Sequence, residues 1–249
     1  MDSNNSHEYY GRSNAESDPH CQKNGVLINT LGLTTTEELN KAEGELTSPR
    51  ITSLVICPIR GVYDLDHAQQ IHRYIFQDIY PWAGEVRKVD ISKNDTKFLE
   101  NELIGSAFFE IGQHLKDSGL IGGEFKNSKD FSKEAGMFFG ALNHVHPFRE
   151  GNGRTQRELL RLLAYDHGYS IDWSGTSPMA MKNSCIDFQH DPSGKSLAKL
   201  IYLASSPVPK EMDILSKFDL IRENKLEKSK FKDSIENSLK PEIDEGKEP

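Results

Sequence analysis

The stretch HPFREGNGRTQR, residues 146–157, places a histidine, an acid, two glycines and several arginines within twelve consecutive positions. Pro147 follows His146 directly, and because a proline disfavours helical backbone at the residue before it, the preceding helix must end near His146. The residues after the glycines favour a helix, so a second helix is predicted to begin within the stretch. The sequence therefore predicts two helices joined by a short loop that carries polar groups.

His146 is predicted to lie at the mouth of this loop rather than on a helix face. With an unperturbed pKa of roughly 6.5, an imidazole there is well placed to take a proton from a hydroxyl group near neutral pH. The alternative is a histidine that only caps its helix. Glu150 would be repelled by bare phosphate, so we interpret it as a ligand of Mg²⁺ that bridges two phosphates; the alternative is an exposed loop acid.

The run Gly151-Asn152-Gly153 can fold so that successive backbone N–H groups face one concavity, and the helix that starts there adds its positive dipole. The alternative is a plain turn between helices. Arg154 and Arg157 lie on one side of the first helical turns, and both can reach an anion at this concavity. Two arginines at a helix N-terminus oppose the helix dipole, and a bound phosphate would remove that penalty.

Arg161 continues the same side of the helix, but its position along the axis, at about 1.5 Å per residue, is too far from the concavity. We interpret it as a surface residue or as one that forms a salt bridge, with Glu158 as the candidate partner. The remaining groups are a base, a metal-binding carboxylate, a concavity for anions and two guanidinium groups. Together they suit phosphoryl or nucleotidyl transfer by positioning and charge neutralisation.

Hydrophobic periodicity predicts that further helices surround this unit. The helix formers after Thr35 begin a helix that Pro49 is expected to interrupt, and alternation in EVRKVDISKNDTKF, residues 85–98, predicts a short β-hairpin. The other predicted helices cover residues 64–80, 100–115, 128–145, 155–168, 179–189 and 197–204. The predicted fold class is therefore mostly α, with one hairpin.

Composition narrows the function classes. The chain has 249 residues, a formal net charge of −8 and a pI near 5.6, so direct binding to nucleic acid is not expected. Its apolar stretches are too short to span a bilayer, and its N-terminus is too polar for a signal peptide. The three cysteines, Cys21, Cys57 and Cys185, are far apart, which argues against disulfides or a zinc site and fits a reducing cytoplasm.

The composition also predicts three regions. Residues 1–30 are polar and are expected to be irregular. Residues 31–209 are expected to form the folded domain. Residues 210–249 are dominated by Lys, Glu and Asp, which predicts a charged tail that is partly helical and partly disordered.

The stretch 146–157 fills every fixed position of HPFx[DE]GNGRxxR and so resembles the signature of the Fic (Fic/Doc) family. The segment IFQDIYPWAGEVR, residues 75–87, is similar to the family's segment that leads into its flap. The resemblance covers roughly residues 30–205. It implies a Fic-type helical bundle with a short β-hairpin flap over the active site.

The resemblance also implies a protein adenylyltransferase, which transfers AMP from ATP to a Ser, Thr or Tyr hydroxyl of another protein. In that role His146 is the general base and Glu150 holds Mg²⁺. The implied phosphate ligands are Asn152 with the amides of Gly151 and Gly153 for the α- and β-phosphates, and Arg154 and Arg157 for the β- and γ-phosphates. The alternatives are transfer of UMP, phosphate or phosphocholine, or a non-catalytic module that binds ATP. Because the Doc branch, which phosphorylates its target, departs at positions 150 and 151, AMP transfer is expected.

Further expectations concern partners. The flap, approximately Val89 to Phe98, would hold the target by β-strand addition, with Lys93 and Phe98 as clamps. The family's inhibitory motif [ST]xxxE[GN] matches only TKFLEN, residues 96–101, at the flap exit, so we expect a separate small antitoxin-like protein to supply any inhibitory helix. The resemblance implies bacterial topoisomerases or host small GTPases as possible kinds of target. The expected location of the protein is the bacterial cytoplasm or, after export, a host cell.

Overall fold

The fold is described from a computed structural model, in which residues 18–93 and 96–208 are placed. The predicted tail, 210–249, and most of the predicted N-terminal segment lie outside these residues. The helices are α1 (Thr36–Ile56), α2 (Leu65–Phe76), α3 (Ile104–Asp117), α4 (Ser128–Val145), α5 (Asn152–Asp166), α6 (Pro178–His190) and α7 (Lys195–Ala204), with a 3₁₀ turn at Asn101–Leu103. The mostly α prediction is confirmed.

Two small antiparallel strand pairs accompany the helices. The pair β1 (Ser92–Lys93) and β2 (Thr96–Lys97) forms the predicted hairpin, which we call the flap. The pair β3 (Tyr169–Ile171) and β4 (Ser205–Pro207) was not predicted. Strands of three residues are too short to show an alternating pattern of apolar and polar residues, so hydrophobic periodicity does not predict them.

Helix α4 is the centre of the bundle, because it packs against α3, α5, α6 and α7. Its apolar face buries Phe131, Phe138 and Leu142, each at most 1% exposed. A Cβ atom at Gly136 would lie 2.7 Å from the backbone nitrogen of Ala198, so only glycine allows α7 to approach this closely. Each large apolar side chain buried here stabilises the fold by about 1.5–3 kcal/mol.

The expectation that Pro49 interrupts the first helix is wrong, since α1 continues to Ile56. The second half of the helix has its own anchors. The guanidinium of Arg50 donates two hydrogen bonds to the carboxylate of Asp78, at 2.8 and 2.9 Å, and Leu54 is fully buried. Tertiary contacts of this kind outweigh the backbone hydrogen bond that an internal proline removes.

The two helices of the quoted stretch end and begin as predicted. Helix α4 ends at Val145, with His146 as its C-cap, and α5 begins at Asn152. The predicted ion pair between Arg161 and Glu158 is also present, with N–O distances of 2.8 and 2.7 Å. Among the described residues, no helix combines the length and the apolar character needed to cross a membrane.

Candidate active site

A cavity of about 620 Å³ lies where the α4–α5 loop, the flap and α6 meet. Its floor contains six of the residues predicted from the sequence: His146, Glu150, Gly151, Gly153, Arg154 and Arg157. The flap contributes Lys93, Thr96 and Phe98 to one wall. The structure therefore brings the predicted base, carboxylate, glycines and arginines together around one space, and Asn152 is the predicted residue that does not line it.

His146 has a left-handed backbone, with φ 47° and ψ 62°, which is rare for a residue other than glycine. Its amide donates to the carbonyl of Leu142 at 3.0 Å, and Nδ1 lies 3.0 Å from the carbonyl oxygen of Asn143. Because a carbonyl only accepts, Nδ1 carries the proton and Nε2 is the basic nitrogen of the neutral ring. Burial lowers the pKa of His146 to about 3, so the ring is neutral at physiological pH.

Arg87 binds the main chain of this turn, and we did not identify it from the sequence. Its buried guanidinium donates to the carbonyl of His146 at 2.9 Å, to that of Val145 at 3.2 Å and to that of Val89 at 2.8 Å, and it also donates to the carbonyl of Leu99. One side chain thereby joins the end of α4 to both ends of the flap. In the sequence, Arg87 could be noticed only as the last residue of IFQDIYPWAGEVR. Its hydrogen-bond partners become visible only in the folded structure.

Phe98 covers the imidazole of His146. The two rings stack with their centroids 3.7 Å apart and an interplanar angle of 17°. Lys93 lines the same cavity, and burial is the main cause that lowers its pKa. Both predicted flap residues therefore lie beside the candidate base.

Glu150 is buried, at 7% exposure, and its two carboxylate oxygens have different surroundings. Oε1 accepts a hydrogen bond from the amide of Gly151 at 2.9 Å and lies 3.7 Å from Nη2 of Arg154. Oε2 accepts no hydrogen bond from the part of the chain that the structure describes. Burial and the nearby carboxylate of Glu43 raise the pKa of Glu150 well above its usual range.

A divalent cation fits this site. An unpaired, buried carboxylate oxygen is a ligand that Mg²⁺ prefers, and the positive charge would offset the repulsion between Glu150 and Glu43. Within residues 18–93 and 96–208 no group of three His, Cys, Asp or Glu side chains could hold a metal. Mg²⁺ characteristically binds through one or two carboxylates together with substrate phosphates and water, and the single carboxylate here agrees with that pattern.

The side chain of Asn152 serves the loop rather than the cavity. Its Oδ1 accepts from the amide of Phe148 at 2.9 Å, and its Nδ2 donates to the carbonyl of the same residue at 2.7 Å. The side chain was expected to help hold phosphates, but in this structure both of its polar atoms are bonded to the main chain of Phe148. The amide of Gly151 donates to the carboxylate of Glu150, so the groups at this end that are suited to an anion are the first amides of α5, which have no partner within the helix.

The two arginines have different surroundings. Arg154 donates to the carboxylate of Glu43 and, at 3.2 Å, to the hydroxyl of Thr47, and it lies over the ring of Phe76 at 4.7 Å. Burial disfavours its charge, but Glu43 and Glu150 raise its pKa. For Arg157, desolvation within the cavity and the like charge on Arg154 lower the pKa. A bound anion would therefore stabilise the charged form of Arg157 more than that of Arg154.

The sequence did not lead us to two parts of the site, Glu43 and the outer wall of the cavity. Glu43 is buried on the same face of α1 as Leu39, Thr47 and Leu54, and an acid at the four-residue spacing of an apolar face was the available signal. The outer wall comes from α6 and the segment before it, including Trp173, Met181, Lys182 and Cys185. Its sequence has helical character but no motif that marks a site.

The chain is similar to a known family and to several known proteins. The model of the Fic/DOC family matches residues 62–164. Among curated relatives, "Protein adenylyltransferase VbhT" of Bartonella schoenbuchensis is 38% identical over 180 residues, which are 72% of this chain and 37% of VbhT. "Probable protein adenylyltransferase y4lH" of Sinorhizobium fredii is 32% identical over 176 residues, which are 70% of this chain and 90% of that protein.

A further relative, "Probable protein adenylyltransferase Fic" of Escherichia coli, is 33% identical over 150 residues, with coverage of 60% of this chain and 73% of that protein. Among solved structures, that of BepC from Bartonella tribocorum, with bound AMPPNP, has a TM-score of 0.65 at 21% identity and covers 74% of this chain and 93% of that one. At this identity the likeness shows the fold alone, and it agrees with the helical bundle and flap described above.

Proposed function

The chain belongs to the Fic/DOC family, and on that premise we propose that it is a protein adenylyltransferase, which transfers AMP from ATP to a hydroxyl group of another protein. The names of the curated relatives support this activity. The observation that carries the proposal is the pairing, in one cavity, of a neutral imidazole at His146 with a buried carboxylate oxygen at Glu150 that accepts no hydrogen bond from the described chain.

The chemistry assigned to His146 is proton removal. Nε2 takes the proton of the target hydroxyl group while that oxygen bonds to the α-phosphorus of ATP. The bond between the α-phosphorus and the oxygen that bridges to the β-phosphate breaks, so diphosphate leaves and AMP remains on the target. Hydrogen bonding of Nδ1 to the carbonyl of Asn143 supports this direction of transfer, because it orients the ring and leaves Nε2 as the basic atom.

The floor of the cavity would hold the triphosphate. Mg²⁺ bound through Glu150 would neutralise charge on the phosphates. The first amides of α5 and the guanidinium of Arg157 supply positive potential at the same end of the cavity. Arg154, held by Glu43 and Thr47, adds a charge whose position is set before the nucleotide arrives.

The target would bind along the flap. Addition of a target strand to its edge would bring a Ser, Thr or Tyr hydroxyl past Phe98 and Lys93 to His146. A small antitoxin-like protein remains the proposed source of inhibition. Because β-strand addition relies largely on backbone hydrogen bonds, the identity of the target has to be found by labelling bacterial and eukaryotic lysates in parallel.

The test is incubation of each lysate with Mg²⁺ and ATP that is labelled on the α-phosphate. We expect a labelled protein band with the natural chain and none with His146→Ala. ATP labelled on the γ-phosphate should give no band, because the γ-phosphate leaves with diphosphate. Equal labelling by the natural chain and by His146→Ala would refute the proposal, and a band obtained only with the γ label would indicate phosphorylation instead.

A further inference from the structure

His72, on α2, lies directly beneath the loop that carries Glu150. The imidazole is fully buried and connects two backbone groups. The amide of Gly84 donates to Nδ1 at 2.8 Å, and Nε2 lies 2.9 Å from the carbonyl oxygen of Glu150. Because an amide N–H only donates and a carbonyl only accepts, Nδ1 is the acceptor and Nε2 the donor, so the ring is neutral in one tautomer.

The ring also has a fixed orientation. It stacks on Phe148 with centroids 4.0 Å apart at 18°, and it packs against Phe76 at 4.6 Å. The loop lies so close to these rings that a Cβ atom at Gly151 would be 2.3 Å from Phe76 and 3.1 Å from Nε2 of His72. The main chain at Glu150 and Gly151 is therefore held from below by a hydrogen bond and by contact with aromatic rings.

We propose that His72 is a positioning residue, which fixes the main chain of Glu150 so that its carboxylate faces the cavity and can hold Mg²⁺ with ATP. The proposal rests on the proposed function. Glu150 and Gly151 are both buried, and the hydrogen bond to the Glu150 carbonyl opposes rotation of the main chain there, which sets the direction in which the Glu150 side chain leaves the loop. Groups behind a metal ligand commonly set its orientation in this way.

His67 offers a matched control on the same helix. It is also buried, its Nδ1 accepts from the amide of Tyr63 at 3.2 Å, and its Nε2 lies 2.8 Å from the carbonyl oxygen of Ile59. It therefore makes the same pair of backbone hydrogen bonds as His72. Its partners belong to the segment before α2, and it does not line the cavity.

The experiment compares three variants by calorimetric titration with ATP, once with Mg²⁺ and once with a chelator. An asparagine amide can replace Nδ1 of histidine, and a glutamine amide can replace Nε2. His72→Asn should thus keep the contact with Gly84 and lose the one with Glu150, whereas His72→Gln should do the reverse. His67→Asn is the control: it should keep the hydrogen bond to the Tyr63 amide and lose the one to the Ile59 carbonyl. Melting temperatures of all three variants measure any general loss of stability.

We expect His72→Asn to weaken binding of ATP with Mg²⁺ by about 10-fold or more, and His72→Gln to weaken it by no more than about threefold. In the presence of the chelator, both His72 variants should bind ATP about as well as the natural chain does. His67→Asn should leave the affinity for ATP unchanged with Mg²⁺ and with the chelator. Equal effects of His72→Asn and His72→Gln, or of His72→Asn and His67→Asn, would overturn the proposal. If His72→Asn does not fold, loss of the Mg²⁺ dependence in His72→Gln would overturn it and retention would support it.

These outcomes are distinct from failure of the proposed function. A natural chain that binds ATP equally well with and without Mg²⁺ would contradict the proposed function, and with it the inference. A natural chain that shows the Mg²⁺ dependence, together with a His72→Asn variant that retains it, would remove only the role of His72.

Discussion

The floor of the cavity and its flap wall are built in different ways. The floor, residues 146–157, is held by buried polar partners from other elements: Glu43 on α1, His72 on α2, and Arg87. The flap consists of strands of two residues each, and its links to the rest include the carbonyl contacts of Arg87, the stack of Phe98 on His146 and a hydrogen bond of 3.3 Å from Gln189 to the carbonyl of Lys97.

This difference suits two kinds of ligand. A triphosphate has a constant shape and charge, so a floor whose groups are fixed in advance avoids reorganisation when the nucleotide binds. A target segment varies in its side chains, and a small hairpin edge can accept it through the backbone. Changes in the floor should therefore affect nucleotide binding and chemistry, whereas changes in the flap should affect the acceptor.

The largest expected effect is on chemistry at the floor. His146→Ala should lower the rate of AMP transfer by about 10²–10⁴-fold, because the group that removes the proton is lost. ATP affinity, measured by calorimetry, should change little. His144→Ala, in the last turn of α4 and two residues before His146, is the control and should retain activity. A similar loss in both variants would mean that the end of α4, rather than its imidazole at 146, supports the reaction.

The next effect concerns the backbone of the floor. Gly151→Ala should reduce the free energy of unfolding by about 2–4 kcal/mol, because φ is +83° and the new methyl group would overlap the ring of Phe76. Gly168→Ala has the same left-handed strain, with φ +77°, but no atom within 4 Å, and should lose only about 1 kcal/mol. Denaturant unfolding measures both, and equal losses would show that the loop is not tightly packed on its floor.

Charge on the floor should control affinity for the nucleotide. Arg157→Ala should weaken ATP binding by about 10–100-fold, which corresponds to 1.5–3 kcal/mol for hydrogen bonds made by a charged group. Arg161→Ala, on the same helix but paired with Glu158, should leave the affinity unchanged. Titration calorimetry in low salt gives both values, and an unaffected Arg157 variant would place the phosphates elsewhere.

The smallest effect belongs to the flap. Phe98→Ala should lower kcat/KM for the target by about 10-fold or less while ATP affinity stays the same, because the ring covers His146 rather than the phosphates. The control is Phe109→Ala, on the exposed face of α3. A loss of ATP affinity in Phe98→Ala would erase the distinction between floor and flap.

The same variant has a pH signature. Burial lowers the pKa of His146 to about 3, so its ring stays neutral. At saturating Mg²⁺ and ATP, where bound metal keeps the Glu150 carboxylate ionised, the transfer rate should hold as the pH falls from 8 to 6. Removing Phe98 exposes the ring and should raise that pKa toward the ordinary value of roughly 6.5. The rate of the variant should then decline as the pH falls through that value, since the protonated ring cannot accept a proton. Rate profiles of both proteins check this sign.

Local features of the sequence predicted the parts of the site that depend on neighbouring residues. The stop at Pro147 predicted the end of α4, the glycines predicted the start of α5, and Glu158 was the candidate partner of Arg161; the structure confirms all three. The clustering of candidate residues around one cavity agrees with the same local signals.

What the sequence did not reveal depends on contacts between distant positions. Glu43 is 111 positions from Arg154, and His72 is 78 positions from Glu150, so no spacing rule connects them. The side chain of Asn152 was assigned to phosphates because a motif does not state which way a side chain turns. Pro49 was read as a helix end because the anchoring of Arg50 by Asp78 is a tertiary contact.

A crystal structure of the chain with Mg²⁺ and a non-hydrolysable ATP analogue would test the proposed nucleotide site most directly. We expect the metal on Oε2 of Glu150, the terminal phosphates beside Arg157, and the α-phosphorus in front of Nε2 of His146. A triphosphate bound outside this cavity, or inside it with Nε2 turned away from the α-phosphorus, would contradict that proposal.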